Sequence, residues 1–324
     1  MTLAIFQESF KGTSVLVTGA AGFIGSHLVE HLVALGAQVT AVDNLQAGNW
    51  RNLEAVRHRI TEVECDVRDA DAIGAILAKT QPHYVFHLAA NASVPNSVQD
   101  PVYDFEANCL GTFRLLNALR ERTDCKKVVI ASSGAVYGEP ESFPITEELP
   151  LKPISPYGAS KLNTEITAQI MHRVYQVPTV IARLFNAYGP RMARFVVLDF
   201  LKKLQRDPNR LEVLGTGKQI RDFTYVADTV QGLLLLALKG ECCQAYNVSS
   251  GKNCSVTELA HAIIAARGLE GKTRIEYTGT SWVGDAQRWE VSIERLCRLG
   301  YTPWYTLERG LQETIAWFDR TYPS

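Results

Sequence analysis

The chain has 324 residues, of which 46% are hydrophobic and 21% charged, and its formal net charge is −1. This composition is typical of a globular protein with a large core, and the charge excludes a strong attraction to nucleic acid or an anionic membrane. The longest apolar run, 233–238, is too short to cross a bilayer, and residues 1–11 lack the features of a secretion signal. We therefore expect a cytoplasmic protein with no nucleic-acid partner and no membrane partner.

The cysteines give no sign of a metal site or a disulfide framework. There are seven, and they form neither a CxxC pair nor a cluster with histidine. An odd count without a secretion signal favours reduced thiols and predicts no bound metal.

The first predicted elements are a buried strand at 14–17, a glycine turn at 18–25 (TGAAGFIG) and a helix. Gly19 permits the tight turn, Gly22 lets backbone N–H groups approach a pyrophosphate, and Gly25 lets the helix pack closely on the sheet. The spacing is GxxGxxG, and glycines alone are weak evidence because turns need them for steric reasons. Their place between a strand and a helix predicts a dinucleotide site.

A carboxylate follows the second predicted strand. A second strand is predicted at 38–42 and ends in Asp43, 18 residues beyond Gly25. A carboxylate at this point binds a ribose 2′-hydroxyl and repels a 2′-phosphate. The pattern therefore predicts NAD rather than NADP as the cofactor.

Strands and helices then alternate as far as residue 183. Strands are predicted at 60–65, 84–88, 127–131 and 178–183, and helices at 69–79, 101–119 and 157–175. This alternation predicts an α/β fold with a doubly wound, mostly parallel Rossmann-type sheet. After Pro190 the elements shorten and glycine becomes more frequent, which predicts a smaller mixed C-terminal substrate domain. We expect a NAD-binding Rossmann domain from 1–186, with 220–247 packing back onto it, and a smaller domain from 187–219 and 248–324.

The strongest catalytic pattern is Tyr157 and Lys161, four residues apart on one face of a predicted helix. A nearby ammonium lowers the pKa of a phenol, and a phenolate is a general base for an alcohol proton. Ser133, at the end of a neighbouring strand, is placed to hydrogen-bond the same hydroxyl. A YxxxK pair by itself is more often an incidental surface pair. The glycine turn and Asp43 make the catalytic interpretation the better one.

These motifs together resemble the extended short-chain dehydrogenase/reductases, in the nucleotide-sugar epimerase/dehydratase group, over residues 11–318. The matching motifs are TGAAGFIG (18–25), DN (43–44), CDV (65–67), HLAA (87–90), SSGAVYG (132–138), SPYGASK (155–161), RLFNAYGPR (183–191), QIRDFTYVAD (219–228) and GD (284–285). The resemblance implies NAD as the cofactor and a nucleotide-diphosphate sugar as the substrate.

For the cofactor, the resemblance implies contacts along the carboxyl ends of the strands. The implied residues are Gly19, Gly22, Phe23, Ile24 and Gly25 at the pyrophosphate, Asp43 and Asn44 at the adenosine ribose, Asp66 and Val67 at adenine, Leu88, Ala89, Ala90 and Asn108 at the remainder, and Tyr157 and Lys161 at the nicotinamide ribose. Alternatively, the Asn108 amide only forms hydrogen bonds within its own loop.

For the substrate, the resemblance implies Ser133 and Asn186 at the sugar nucleotide and Arg221 at the diphosphate. Alternatively, the Asn186 amide only forms hydrogen bonds within its loop, and Arg221 pairs with a neighbouring aspartate. Relatives often carry an arginine three residues before Asp285, where this chain has Trp282. The candidates that replace its charge are Arg191, Arg194 and Arg288.

The reaction is predicted from the two residues after Ser133. Resembling dehydratases carry an acidic pair there, and other relatives carry Glu or Cys at the second position, whereas this chain has Gly134 and Ala135. The remaining residues suffice to oxidise a sugar hydroxyl and return the hydride, which predicts a 4-epimerase of the UDP-glucose/UDP-galactose type. A nucleotide-sugar ketoreductase or dehydrogenase is the alternative. A non-catalytic NAD sensor or scaffold is less favoured, because such proteins usually lose the Tyr/Lys pair.

Two further expectations follow from the resemblance. The residue four positions after Asp285, here Trp289, is a gate beside the sugar's C2 substituent in such epimerases; alternatively, Trp289 anchors the core of the smaller domain. The helices at 102–119 and from 157 pair across a two-fold axis in relatives, which predicts a homodimer.

Overall fold

The structure, a computed structural model, describes residues 2–280 and 287–323. Its strands are β1 (Ser14–Thr18), β2 (Gln38–Asp43), β3 (Ile60–Glu64), β4 (Tyr84–His87), β5 (Lys127–Ser133), β6 (Thr179–Leu184), β7 (Asn186–Tyr188), β8 (Arg210–Val213), β9 (Ile220–Tyr225), β10 (Ala245–Val248), β11 (Asn253–Ser255) and β12 (Arg274–Tyr277).

The α-helices are α1 (Thr2–Phe10), α2 (Phe23–Ala34), α3 (Ala70–Thr80), α4 (Val94–Gln99), α5 (Pro101–Phe105), α6 (Gly111–Leu119), α7 (Pro156–Tyr175), α8 (Val196–Arg206), α9 (Val226–Lys239), α10 (Val256–Ala266), α11 (Glu294–Arg298) and α12 (Leu307–Thr321). Two 3-10 helices cover Trp50–Arg59 and Gly134–Tyr137, and a π-helical turn covers Glu106–Leu110. Within the described ranges, no helix is long and apolar enough to cross a membrane.

A seven-stranded sheet forms the centre, in the order β3-β2-β1-β4-β5-β6-β10. Every pair of neighbours in it is parallel. The doubly wound parallel sheet predicted from the sequence is therefore confirmed. The strand order reverses between β1 and β4, and the carboxyl ends of the strands beside this crevice are where such sheets bind ligands.

Helices cover both faces of this sheet, which is why its central strands, such as β1 and β4, are buried and mostly apolar. On one face α1, α2 and α9 bury residues such as Leu28, Leu32 and Leu233. On the other face α3, α6 and α7 bury residues such as Leu77 and Leu115. The sheet is thereby held rigidly, and its carboxyl edge presents side chains in fixed positions.

Two smaller sheets lie beyond the carboxyl edge. One has the order β11-β9-β7 and is mixed, with β9 antiparallel to β11 and parallel to β7; the other pairs β12 with β8. Helices α8, α10 and α12 pack together in a separate core around Leu201, Ile263 and Phe318. This arrangement confirms the predicted smaller mixed part of the fold.

The segment predicted as one helix from 101 to 119 is broken by the π-helical turn. Asp100 caps its start by accepting a hydrogen bond from the Tyr103 N–H group at 2.9 Å. The wider π turn changes the helical phase, so the apolar stripe predicted along this segment does not share one environment. Val102, Phe105 and Phe113 are exposed, whereas the stripe's remaining members, Cys109, Leu116 and Leu119, are buried.

Candidate active site

A cleft of about 1560 Å³ runs along the carboxyl edge of the main sheet. It is larger than the roughly 300–1,000 Å³ of a pocket for one drug-sized ligand. One half is lined by the glycine turn and the ends of β2, β4 and β5, and the other half by residues of the smaller sheets. The volume is therefore sufficient for two nucleotides placed end to end.

The glycine turn has the backbone shape that an anion site needs. Gly19 has a φ of +68°, and a Cβ atom there would lie 2.7 Å from the Ala89 nitrogen. A Cβ atom on Gly25 would lie 2.0 Å from the Gly19 carbonyl oxygen. Gly22 precedes the first residue of α2, so the free N–H groups at the helix start face the cleft. Phe23 and Ile24 also line the cleft there.

Asp43 ends β2 beside this turn and is nearly buried. Its carboxylate accepts hydrogen bonds from the backbone N–H groups of Ala21, at 2.9 Å, and Leu45, at 2.8 Å. Burial raises the pKa of Asp43, and these hydrogen bonds oppose the rise. Each oxygen keeps lone-pair capacity for a ribose hydroxyl. The side chain of Asn44 donates to Asp66 at 2.9 Å, so the structure brings these predicted residues together.

We expect Asp43 to decide between NAD and NADP. The wild-type protein should bind NAD about a hundredfold more tightly than NADP, because the 2′-phosphate meets a fixed carboxylate and loses its hydrogen bonds. In Asp43→Ser the ratio should fall below about tenfold. Calorimetry with both cofactors measures it, and Asp71→Ser, on the exposed surface of α3, is the matched control. Equal wild-type affinities for the two cofactors would contradict the assignment.

Lys161 lies on α7, whose first turn is capped by Ser155 accepting from the Gly158 N–H group at 3.1 Å. The ammonium is buried and donates to the carbonyl oxygen of Ala131, in β5, at 2.8 Å. Burial lowers the pKa of Lys161 to about 8, and the charges of Asp104, Cys109 and Glu165 oppose the fall. These contacts fix Lys161 against the strand that leads to Ser133.

The electrostatics of Tyr157 correct one sequence prediction. Burial raises the pKa of its phenol above the ordinary value, instead of a neighbouring ammonium lowering it. The hydrogen bond from Ser133 and the positive charge of Arg194 oppose that rise, while the charge of Asp104 adds to it. Lys161 directs its ammonium at Ala131, so Arg194 is the cation that acts on the phenol.

Ser133 ends β5 and begins the 3-10 turn, where its hydroxyl accepts a hydrogen bond from the Ala135 N–H group at 3.2 Å. A Cβ atom at Gly134 would lie 2.5 Å from the ring of Phe185, so a larger residue there would require the ring to move. Ser133, Ala135 and Tyr157 all line the cleft. The structure thus brings Ser133 and Tyr157 together, as the sequence predicted.

Asn186, Arg221 and Trp289 meet in the other half of the cleft. The guanidinium of Arg221 lies 5.3 Å from the centre of the Trp289 indole, and Phe185 meets that indole edge-on at 5.7 Å. Within the described part of the chain, Asn186 Nδ2 and Trp289 Nε1 are buried without a hydrogen-bond partner. Buried donors are nearly always paired, so both are available to a ligand.

The sequence profile of the GDP-mannose 4,6 dehydratase family matches residues 16–314. A putative UDP-glucose 4-epimerase of Methanocaldococcus jannaschii is 36% identical over 309 residues, which is 94% of this chain and 97% of the relative. The chain belongs to the nucleotide-sugar epimerase/dehydratase family.

Solved structures of this family have the same fold. The UDP-glucose 4-epimerase of Thermotoga maritima, solved with UDP-glucose, is 33% identical with a TM-score of 0.88, over 95% of this chain and 99% of that one. The dTDP-glucose 4,6-dehydratase of Streptomyces venezuelae, solved with NAD bound, is 30% identical with a TM-score of 0.86, over 94% and 97%. NAD is the cofactor of the epimerase/dehydratase family, and the tight glycine turn and Asp43 fit it.

The three arginines predicted as candidates for the substrate's charge lie in different parts of the site. Arg191 forms an ion pair with Glu30 and donates to the Asn52 carbonyl at 2.9 Å, so it is held on the cofactor side. Arg194 donates to the carbonyl of Ala92 across the cleft. Arg288 pairs with Glu290. Asp285, together with Trp282 and the rest of the GD motif, lies outside the described residues. Val67, Leu88, Ala89 and Ala90 line the cleft as predicted positions for the cofactor.

Asn108 supports the cleft from behind. Its amide donates to Ser160 at 2.9 Å and Asp104 at 3.2 Å, and its oxygen accepts from the Asn91 N–H group at 2.8 Å. Asp104 also accepts from Ser160 at 2.6 Å, so a buried polar cluster fixes α5 against α7. The role of Asp104 cannot be seen in the sequence, because a single acid in a helical stripe carries no pattern that marks it as buried.

Proposed function

We propose that this protein is an NAD-dependent nucleotide-sugar 4-epimerase, of the UDP-glucose/UDP-galactose type. The observation that supports it is the pair Gly134 and Ala135, which follows Ser133 at the cleft wall. Elimination of water requires a base at the carbon beside the ketone and an acid at the departing hydroxyl, and neither residue carries a group that moves a proton. Oxidation at C4 and return of the hydride require neither.

In this mechanism the Tyr157 phenolate removes the proton of the 4-hydroxyl while the C4–H bond breaks and a C4 ketone forms. Bound NAD supplies the acceptor, and later the donor, of the hydride at C4. The hydroxyl of Ser133 donates a hydrogen bond to the same oxygen and stabilises its developing charge. The ketosugar then rotates so that the hydride returns to its opposite face, and Tyr157 returns the proton to O4. The sugar therefore has no net gain or loss of atoms or electrons. Lys161, held on Ala131, orients the nicotinamide ribose.

The other half of the cleft would hold the nucleotide. The guanidinium of Arg221 suits a diphosphate because it presents several N–H donors in one plane. Asn186 contributes its unpaired Nδ2 donor to the sugar nucleotide. Arg194 adds a second positive charge near the reacting end. These positions set the sugar towards Tyr157 and the nucleoside away from it.

The test is incubation of the purified protein with UDP-, GDP-, CDP- and dTDP-sugars, followed by NMR of the products. We expect interconversion of C4 epimers without net change in NAD. A 4-keto-6-deoxy product would instead identify a dehydratase, and a stoichiometric change in NAD would identify a ketoreductase or dehydrogenase. Absence of turnover with NAD tightly bound would favour a sensor or scaffold.

Trp289 gives a prediction about the sugar. If it is the gate beside C2, the wild-type protein should act on plain hexoses or pentoses and ignore 2-acetamido sugars. Trp289→Ser should then gain at least tenfold in activity on UDP-N-acetylglucosamine, while keeping its thermal midpoint within a few degrees. The indole also packs on Phe185 and beside Arg221, so Trp289→Phe is the control that keeps the packing. Equal wild-type rates on acetamido and plain sugars would contradict the gate.

We further propose a homodimer, built on α5, α6 and α7. Exposed apolar side chains project from these neighbouring helices: Val102, Phe105, Phe113, Ile166, Ile170 and Val174. A patch of this kind on a monomer marks an interaction surface, and a two-fold axis would pair it with itself. Light scattering at micromolar concentration should give twice the mass of the chain. Ile166→Glu with Ile170→Glu should give monomers, whereas Lys202→Glu, on the distant helix α8, should not.

A further inference from the structure

The 3-10 turn after β5 decides where the hydroxyl of Ser133 points. Ser133 Oγ accepts a hydrogen bond from the Ala135 N–H group at 3.2 Å, so its own proton is left for another acceptor. The Ser133 hydroxyl forms a hydrogen bond with Tyr157, which is the acceptor in this structure. The Ala135 N–H group belongs to the turn, so a shift of the turn would rotate or displace the Ser133 hydroxyl.

Tyr137 ends this turn, and its side chain is anchored behind the cleft wall. Only 1% of its surface is exposed. Its hydroxyl accepts a hydrogen bond from Arg183 Nη1 at 2.7 Å and donates one to Asn247 Oδ1 at 2.8 Å. The guanidinium carbon of Arg183 also lies 4.9 Å from the centre of the ring. Burial raises the pKa of Tyr137 to about 12, so the hydroxyl keeps the proton that it donates.

Both partners of the Tyr137 hydroxyl are themselves held in place. Arg183, in β6, makes two hydrogen bonds to the carboxylate of Glu165, in α7, at 2.8 and 3.0 Å. Asn247, in β10, donates through Nδ2 to two backbone carbonyl oxygens at 3.0 and 3.2 Å. The end of the turn is therefore fastened to two strands of the main sheet and, through Glu165, to the helix that carries Tyr157.

We propose that Tyr137 is a positioning residue for catalysis: its hydroxyl, held between Arg183 and Asn247, fixes the turn that aims the Ser133 hydroxyl at the reacting oxygen. Its side chain is buried behind the cleft wall, so it acts through Ser133 and not by contact with a ligand. The kinetic test of this role rests on the proposed function. The structural test does not.

The kinetic experiment is a double-mutant cycle of Tyr137→Phe and Ser133→Ala, with kcat and KM measured on the nucleotide sugar that the wild type epimerises. Tyr137→Phe removes one oxygen atom and keeps the ring. We expect kcat to fall about tenfold while KM stays within about twofold, because a misplaced hydroxyl weakens the transition state more than substrate binding. In the Ser133→Ala background the same substitution should lower kcat by less than about twofold, because no hydroxyl is left to aim.

Tyr301→Phe is the matched control. Tyr301 is 2% exposed, and its hydroxyl donates to the carbonyl oxygen of Ser249 at 3.1 Å, so this variant also loses a buried hydrogen bond. It should lose a similar amount of thermal stability and keep the wild-type kcat. The structural experiment compares crystal structures of the wild type and Tyr137→Phe, in which we expect Ser133 Oγ to move by about 0.5 Å or more relative to the Tyr157 hydroxyl.

An equal fall in kcat with and without the Ser133 hydroxyl would overturn the inference, because Tyr137 would then have only a structural role. Unchanged kcat in folded Tyr137→Phe, or a crystal structure with Ser133 Oγ in its original place, would overturn it as well. These results leave the proposed function intact. If the wild type epimerises no nucleotide sugar, the proposed function fails, and the two crystal structures still decide whether Tyr137 positions Ser133.

Discussion

Replacing Tyr157 by phenylalanine should lower the epimerisation rate about a thousandfold or more while the protein still binds NAD. The substitution removes one oxygen atom, and with it the base that takes the proton of the 4-hydroxyl. The ring remains, so α7 and the cleft wall keep their packing. Single-turnover kinetics with the epimerising sugar measures the loss, and NAD content is measured on the same sample.

The pH profile makes this prediction specific. Burial raises the pKa of the Tyr157 phenol, so activity should increase with pH as the phenolate forms. The pKa of Lys161 is lowered to about 8, below that of Tyr157, so the rise should level off near pH 8, where the ammonium begins to lose its proton. The residual activity of Tyr157→Phe should lack the rising limb. Tyr175→Phe, at the exposed end of the same helix, should behave as wild type. Near-normal turnover in Tyr157→Phe would refute the mechanism.

Removing Glu165 should destabilise the protein by about 3–5 kcal/mol, because it leaves a buried guanidinium without its counter-ion. Glu165 and Arg183 form a buried ion pair at 2.8 Å. Ser132 donates to Glu165 at 2.5 Å, and Arg183 donates to the Tyr137 hydroxyl at 2.7 Å. The network connects α7 with β5 and β6 behind Ser133. Loss of its carboxylate therefore removes two hydrogen-bond acceptors as well as a charge.

Urea unfolding of Glu165→Leu, Arg183→Met and the double variant tests this account. The free energy of unfolding should fall by most of about 3–5 kcal/mol in each single variant. In the double variant it should fall by less than the sum of the two single decreases, since no unpaired charge is then buried. Glu276→Leu is the control: its partner Arg210 is exposed, and such pairs contribute less than about 1 kcal/mol. Additive losses in the double variant would show that the pair is not coupled.

The sequence is sufficient to predict the sheet, because its central strands, such as β1, β4 and β6, are buried and therefore mostly apolar. It also predicts the glycine turn, Asp43 and the Ser133–Tyr157 pair, which depend on short spacings within one or two elements. These features are local: a strand end, a helix start and one turn of helix determine them. Parallel pairing then brings the strand ends to one edge.

Features that depend on distant contacts could not be predicted in this way. The partner of Lys161 is a carbonyl group in β5, 30 residues earlier, and carbonyls have no sequence signature. The pKa of Tyr157 depends on how deeply α7 is buried and on Arg194, from another loop. The two hydrogen bonds of the Tyr137 hydroxyl likewise join residues 46 and 110 positions apart along the chain. The sequence pattern does not predict the π-helical turn either, because the turn changes only the phase of an otherwise ordinary helical pattern.

The position of β10 has a consequence for synthesis on the ribosome. It pairs with β6, with Ala245 opposite Ile181, yet residues 185–244 separate the two strands and build parts of the smaller sheets. A nascent chain that has released β6 therefore carries an open strand edge until residue 248 has emerged. Such an edge pairs readily with other growing chains. The edge of β6 is therefore open to such pairing during the interval in which residues 185–248 are made.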